Sequence, residues 1–130
     1  SREKEVKPTL RATRRRLVSA LGAVLVLGAC AGPQIFHHQL PVLDKGLAPA
    51  QAVARLQLPP LSEHRAAVNG RSFEFQRYRL NNGLQSDTYF LAYERGGLTF
   101  WGYITEFRRQ PDRDLNAALN LVLADPAALR

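Results

Sequence analysis

The chain has 130 residues, 45% of them hydrophobic, with a formal net charge of +7 and a single cysteine. One cysteine excludes an internal disulfide. Residues 1–29 hold seven Lys or Arg and two Glu, against eleven and nine acids in residues 30–130, so +5 of the +7 sits in the first segment. The later arginines are interleaved with acids, as in Glu63-His64-Arg65 and Asp112-Arg113-Asp114. That is a mixed solvated surface rather than a phosphate-tracking stripe, and nucleic acid is not an expected partner. Methionine is absent even at position 1, and the first dozen residues carry no fold argument.

Arg14-Arg15-Arg16 precede an uncharged 13-residue run, Leu17 to Ala29, that ends on Cys30. A basic region, a short apolar core and a small-residue exit follow the order of a secretory signal. The core is well short of the ~20 apolar residues a bilayer-spanning helix needs. Leu27-Gly28-Ala29-Cys30 resembles the bacterial lipobox. The resemblance implies a cut between Ala29 and Cys30, diacylglycerol on the Cys30 sulfur and acylation of the new amino end. Ala31 is not the aspartate that, by resemblance to other bacterial lipoproteins, marks inner-membrane retention. The expected location is the outer membrane, facing the periplasm, with no cofactor beyond the covalent lipid. The expected division is signal peptide 1–29, lipidated N-terminus and tether 30–46, and a small domain 47–130.

After Cys30, Gly32, Pro33, Pro41 and Gly46 punctuate the tether, which carries at most one edge strand at 35–40. Stretched fully, Ala31 to Gly46 reaches roughly 50 Å at about 3.3 Å per residue. A first helix is predicted from Ala48 to Leu58, with Pro49 in its first turn and Pro59-Pro60 ending it. Leu61 to Arg71 reads as a loop with Asn69-Gly70 as its turn. Three strands then alternate apolar residues. Ser72 to Leu80 places Phe73 and Phe75, then Tyr78 and Leu80, a phase shift that suggests a bulge. Thr88 to Glu94 puts Tyr89, Leu91 and Tyr93 on one face. Leu98 to Phe107 puts Leu98, Phe100, Gly102 and Ile104 on one face and Trp101, Tyr103 and Phe107 on the other. Asn81-Asn82-Gly83 and Arg95-Gly96-Gly97 are the hairpin turns. A last helix runs from Asp112 to Ala124, with Leu115, Ala118, Leu119 and Val122 at helical spacing and Asp112 or Asp114 as its cap. The expected fold is α+β: a three- to four-stranded antiparallel meander with one or two helices packed on one face.

This layout resembles the SmpA/OmlA (BamE-like) family of small outer-membrane lipoproteins. The matching residues are Gly46-Leu47-Ala48, Val53, Leu56-Gln57-Leu58-Pro59, and Tyr93-Glu94-Arg95-Gly96-Gly97-Leu98 followed by Trp101-Gly102. They span about Asp44 to Gly102. Gln57 stands where the family has glycine, and Leu47 where it has methionine. The resemblance implies a BamE/BLIP-like arrangement and a non-catalytic assembly or scaffolding role in the envelope, with an envelope protein as partner. The alternative from another class is a periplasmic protein-inhibitor or ligand-binding module that uses the aromatic strand face.

Candidates for chemistry are sparse. His37 and His38 are adjacent and would point to opposite sides of a strand, and His64 lacks ligand-spaced partners, so no metal site is expected. Ser62, Ser72 and Ser86 lack a nucleophile-elbow context, and capping explains Asp112 and Asp114. No catalytic residue is assigned and the protein is not expected to be an enzyme. The candidate partner-binding set is Trp101, Tyr103 and Phe107, with Tyr89 across the sheet and Arg108-Arg109 beside it.

Overall fold

The computed structural model describes residues 33–129. The segment 1–29 expected as a signal peptide, with the expected cut at Ala29 and the expected lipid attachment at Cys30, lies outside the described residues. Within them the chain forms strand β1 (Ile35–Phe36), a 3-10 helix (His37–Val42), helix α1 (Pro49–Leu56), strands β2 (Ser62–Val68), β3 (Arg71–Asn81), β4 (Ser86–Glu94) and β5 (Gly97–Tyr103), and helices α2 (Ile104–Arg109) and α3 (Arg113–Leu123).

Strand β3 is the spine. Antiparallel β4 occupies one of its edges and carries β5 beyond it. The other edge is shared end to end. Antiparallel β2 pairs from Arg71 to Arg77, and β1 runs parallel, with Ile35 opposite Leu80 and Phe36 opposite Asn81. The α+β class stands, but the sheet is mixed and five-stranded rather than a pure meander. Residues 62–68, which read as a loop in the sequence, are a strand. Their inward positions are Ser62, His64, Ala66 and Val68, too polar to produce an apolar alternation, and backbone pairing to β3 recruits them.

Successive side chains on a strand face opposite ways, and here both faces are covered. On one, Tyr78, Leu80, Tyr89, Leu91, Tyr93 and Leu98 pack with Ile35, Leu43, Leu47, Ala52 and Leu56. On the other, Phe73, Phe75, Phe90 and Ala92 pack with Phe107, Leu115, Ala118, Leu119 and Val122. Helices therefore lie on both faces rather than one. This explains the phase shift along β3: Phe73 and Phe75 face α3, Tyr78 and Leu80 face α1, and pairing with β4 runs unbroken. The bulge falls instead in β5. Ala92 opposes Phe100 and Tyr93 opposes Leu98, so Thr99 is the extra residue. It turns Leu98 to the α1 face and leaves Phe100 on the α3 face.

Residues 34–46, expected as tether, are built into the fold, and the compact unit begins at Gln34. Ile35 and Leu43 are buried. From β1 at one edge the chain crosses the α1 face to β5 at the other. There the Gly46 N–H donates to the Leu98 carbonyl at 2.8 Å, and the Leu98 N–H donates to the Leu47 carbonyl at 2.7 Å. Gly97 admits this approach, since a Cβ on it would lie 3.4 Å from Gly46 Cα.

Helix α1 ends at Gln57, whose backbone is left-handed at φ 57°, ψ 32° and whose N–H reaches the Val53 carbonyl at 2.8 Å. One phenol holds the exit of α1 to the sheet directly, and a second acts through Gln76 of β3, whose Nε2 donates to the Pro49 carbonyl at 3.5 Å. Tyr78 donates to the Leu58 carbonyl at 2.8 Å, and Tyr93 donates to Gln76 Oε1. Burial and the nearby Glu63 carboxylate push the Tyr78 hydroxyl up to about 12, and burial raises Tyr93, so both stay neutral donors.

Helix α2 begins where β5 was expected to continue to Phe107. Glu106 Oε1 accepts from the Tyr103 N–H at 2.9 Å, satisfying a donor at the helix start. Gly102 leaves room for that side chain, because a Cβ there would sit 3.0 Å from Glu106 Cβ. Asp112 caps α3 as expected, its Oδ1 accepting from the Leu115 N–H at 3.2 Å.

Candidate functional site

The six residues expected to form one docking patch separate in space. Tyr89 is buried in the α1-side core, and Phe107 is fully buried in the α3-side core. The Phe107 ring centroid lies 4.7 Å from Phe100, 6.3 Å from Phe75 and 6.5 Å from Phe90. Phe107 is therefore a core residue. It lies on α2, so helical geometry rather than strand alternation sets its direction. Arg108 and Arg109 are exposed on the same helix, which packs on the face opposite Trp101 and Tyr103.

What remains is a strip along the edge strand β5. Trp101 stands opposite Leu91, and Tyr103 meets Tyr89 edge-on with centroids 5.0 Å apart. Both are half-buried at the margin of the α1-side core. A hollow of about 290 Å³ lies between Lys45, Phe100 and Trp101. Another of about 300 Å³ joins Tyr103 and Thr105 to Asn82, Gln85, Asp87 and Thr88 of the β3–β4 hairpin. Burial, then Glu106 and Asp87, raise the Tyr103 hydroxyl, which keeps it a neutral donor. An edge strand with half-buried aromatics offers rigid amphipathic area to a protein surface.

Sequence reasoning missed a second cluster. Ser62 and His64 are two apart on β2 and so share a face, opposite Arg77 and Phe75. Arg77 Nε donates to Ser62 Oγ at 2.9 Å, and Ser62 Oγ lies 2.8 Å from His64 Nε2. The guanidinium only donates, and a hydroxyl has one hydrogen and two lone pairs, so Ser62 Oγ can pair with either tautomer of His64. Burial and then Arg77 lower the His64 pKa, against an upward pull from Asp125, which favours the neutral ring. A hydroxyl on a neutral imidazole is half of an acyl-transfer pair. The oxygen here is already an acceptor for Arg77, whose own pKa is lowered by burial and then Arg79. In this arrangement Ser62 braces a buried guanidinium. The Ser-x-His spacing was visible, but only the strand assignment for 62–68 gives it meaning.

A third cluster is an ionic clamp at the far end of the sheet. Arg71 forms paired contacts with Glu94 at 2.9 and 2.8 Å and with Asp112 at 2.9 and 2.9 Å, and a longer one with Asp114 at 3.3 Å. Its guanidinium also lies 4.9 Å over the Phe73 ring. Asn69 ties the β2–β3 turn to Asp114 at 2.9 Å. Hydrogen bonds donated to Glu94 and Asp112 raise the Arg71 pKa, and the same bonds hold both carboxyls below their usual range. The sequence identified Asp112 and Asp114 as caps but not their shared cation, which lies about 40 residues away in the chain.

His37 and His38 sit in the 3-10 helix rather than on a strand, with the His38 ring stacked on Phe36 at 5.9 Å. Among the described residues no group of three or more His, Cys, Asp or Glu is arranged to hold a metal. Among them, too, no helix is long and apolar enough to cross a membrane. Compared with protein-family models, curated proteins and solved structures, the chain matches none.

Proposed function

We propose that this chain is a lipid-anchored envelope lipoprotein of the SmpA/OmlA (BamE-like) kind, a non-catalytic assembly or scaffolding accessory of the outer membrane. The observation that carries the reading is the order Arg14-Arg15-Arg16, the apolar run 17–29 and Cys30, with the compact unit opening at Gln34. That order delivers a small folded body to the membrane on a short lead. Two buried acyl chains suffice for stable anchoring where one does not.

Two features of the fold support the family likeness. The separately matched pieces Gly46-Leu47 and Gly97-Leu98 are hydrogen-bonded neighbours across the sheet edge. Gln57, standing where the family has glycine, has the left-handed backbone that glycine adopts most easily. The docking surface in this reading is the β5 strip of Trp101 and Tyr103, facing an envelope protein. With Tyr89 and Phe107 in the cores, the inhibitor or ligand-binding alternative retains only that strip.

A Cys30→Ser variant tests the anchor by membrane fractionation. Wild type is expected in the outer-membrane fraction, and the variant is expected to accumulate as uncleaved precursor. Equal partition of the two at one size sinks the reading. A photo-crosslinker at position 101 or 103 tests docking, with one recurring envelope protein expected as adduct. Adducts no different from those of a crosslinker at the exposed Ala67 count against it.

A further inference from the structure

We infer that the β3–β4 hairpin tip, residues 82–85, is a membrane-contacting element whose Leu84 side chain enters the interfacial layer of a lipid bilayer. The inference rests on the lipid anchor at Cys30 proposed above. Leu84 is 95% exposed, the most exposed of the large hydrophobics among the described residues. A single exposed leucine is ordinary on a protein surface. This one is held outward by a built turn. Asn81 Oδ1 accepts from the Gly83 N–H at 2.8 Å, and Asn82 Oδ1 accepts from the N–H groups of Leu84 and Gln85, both at 3.0 Å. The polar backbone is satisfied within the turn while the apolar side chain stays in water.

The covalent chain decides what lies beneath that tip. Gln34, the first residue of the compact unit, accepts through Oε1 from Ser86 Oγ at 2.8 Å, at the foot of the same hairpin. Next to it Phe36, 43% exposed, stands opposite Asn81. Cys30 is four residues before Gln34, and four residues span at most about 14 Å however they run. A lipid on Cys30 therefore holds the hairpin end of the sheet near the headgroups. The opposite end carries Arg71, Glu94, Asp112 and Asp114, a cluster suited to water. The sheet thus presents two exposed apolar side chains, Leu84 and Phe36, at the end near its tether and an ionic cluster at the end away from it, which orients the domain on the membrane.

The test uses the chain from Cys30 onward, which contains the whole compact unit. A maleimide-linked lipid is coupled to its one thiol, and the protein is placed on phosphatidylcholine vesicles. Leu84→Trp in a Trp101→Phe background reports the tip, and Asn69→Trp in the same background reports the far end. Expected for the Leu84→Trp protein is a blue shift of its indole emission on vesicles and quenching of that emission by brominated lipids, with the Asn69→Trp protein unchanged. Emission from the tip variant that stays red and unquenched while the protein is vesicle-bound overturns the proposal, whether the tip then faces water or another protein. A second reading uses a single acyl chain, whose hold is marginal. Leu84→Ser is expected to lower its partition by roughly tenfold, and unchanged partition counts against insertion. The lipid is supplied chemically, so absence of acylation in cells would sink the proposed function while leaving this measurement to decide the tip.

Discussion

Phe107→Ala separates a core role from a docking role for the residue that sequence placed in the partner patch. The ring is fully buried and meets Phe75, Phe90 and Phe100. Truncating a buried phenylalanine costs about 3–5 kcal/mol through lost transfer energy and the cavity left behind. The aromatic contacts, each worth roughly 0.5–1.5 kcal/mol, argue for the upper half of that span. A unit of this size has a total stability of roughly 5–15 kcal/mol. The variant should therefore lose about a quarter or more of it, with Tm falling by at least about 16 °C. Urea unfolding followed by circular dichroism and by Trp101 fluorescence measures the loss directly. Arg108→Ala, exposed on the same helix, serves as control and should stay within about 0.5 kcal/mol of wild type. A Phe107→Ala protein that keeps its fold and loses under about 1 kcal/mol refutes the packing argument, and would return Phe107 to the surface.

Gly102→Ala should destabilise by about 1 kcal/mol or more, because the added Cβ meets Glu106 and displaces the carboxylate from the Tyr103 N–H. Thermal melts that superimpose on wild type would show that Glu106 moves aside freely. Gln57→Gly should raise stability by up to about 1 kcal/mol by relieving left-handed strain, less the entropy glycine adds to the unfolded chain. A measured loss at this exposed position would mean the side chain has a role. Acid should release the Arg71 clamp. Folded pKa values of Glu94 and Asp112 lie below their unfolded ones, so their contribution is complete above the ordinary carboxylate range and lost as pH falls through the depressed values. Between about pH 5 and pH 2, wild type should lose stability more steeply than Arg71→Met, and parallel pH profiles would refute the clamp.

The residues that sequence placed correctly act locally. Asn82-Gly83 and Arg95-Gly96 make local turns in which Gly83 and Gly96 take positive φ, and the 115, 118, 119, 122 stripe buries one side of α3. Phase was harder to read. Phe73 and Phe75 against Tyr78 and Leu80 looked like a defect in one strand, because a chain covered on both faces shows two overlapping period-2 patterns. Thr99 hid the real bulge, since a small polar residue leaves no mark in an apolar alternation. Strand β2 was missed because its pairing to β3 is a matter of backbone hydrogen bonds, with few apolar side chains to announce it, whereas the edge strand allowed at 35–40 shortens to the two residues of β1. The expected patch failed at the β5–α2 junction. Gly102 and Glu106 turn the chain into a helix there, and Phe107 leaves the face that carries Trp101.

Intact mass spectrometry of the protein extracted from the membranes of a cell that makes it tests the lipid anchor most directly. Expected is a chain that begins at Cys30 and carries a diacylglycerol thioether with a further acyl group on its amino end. A mass that still contains residues 1–29, or a chain from Cys30 with a free thiol, contradicts the anchor.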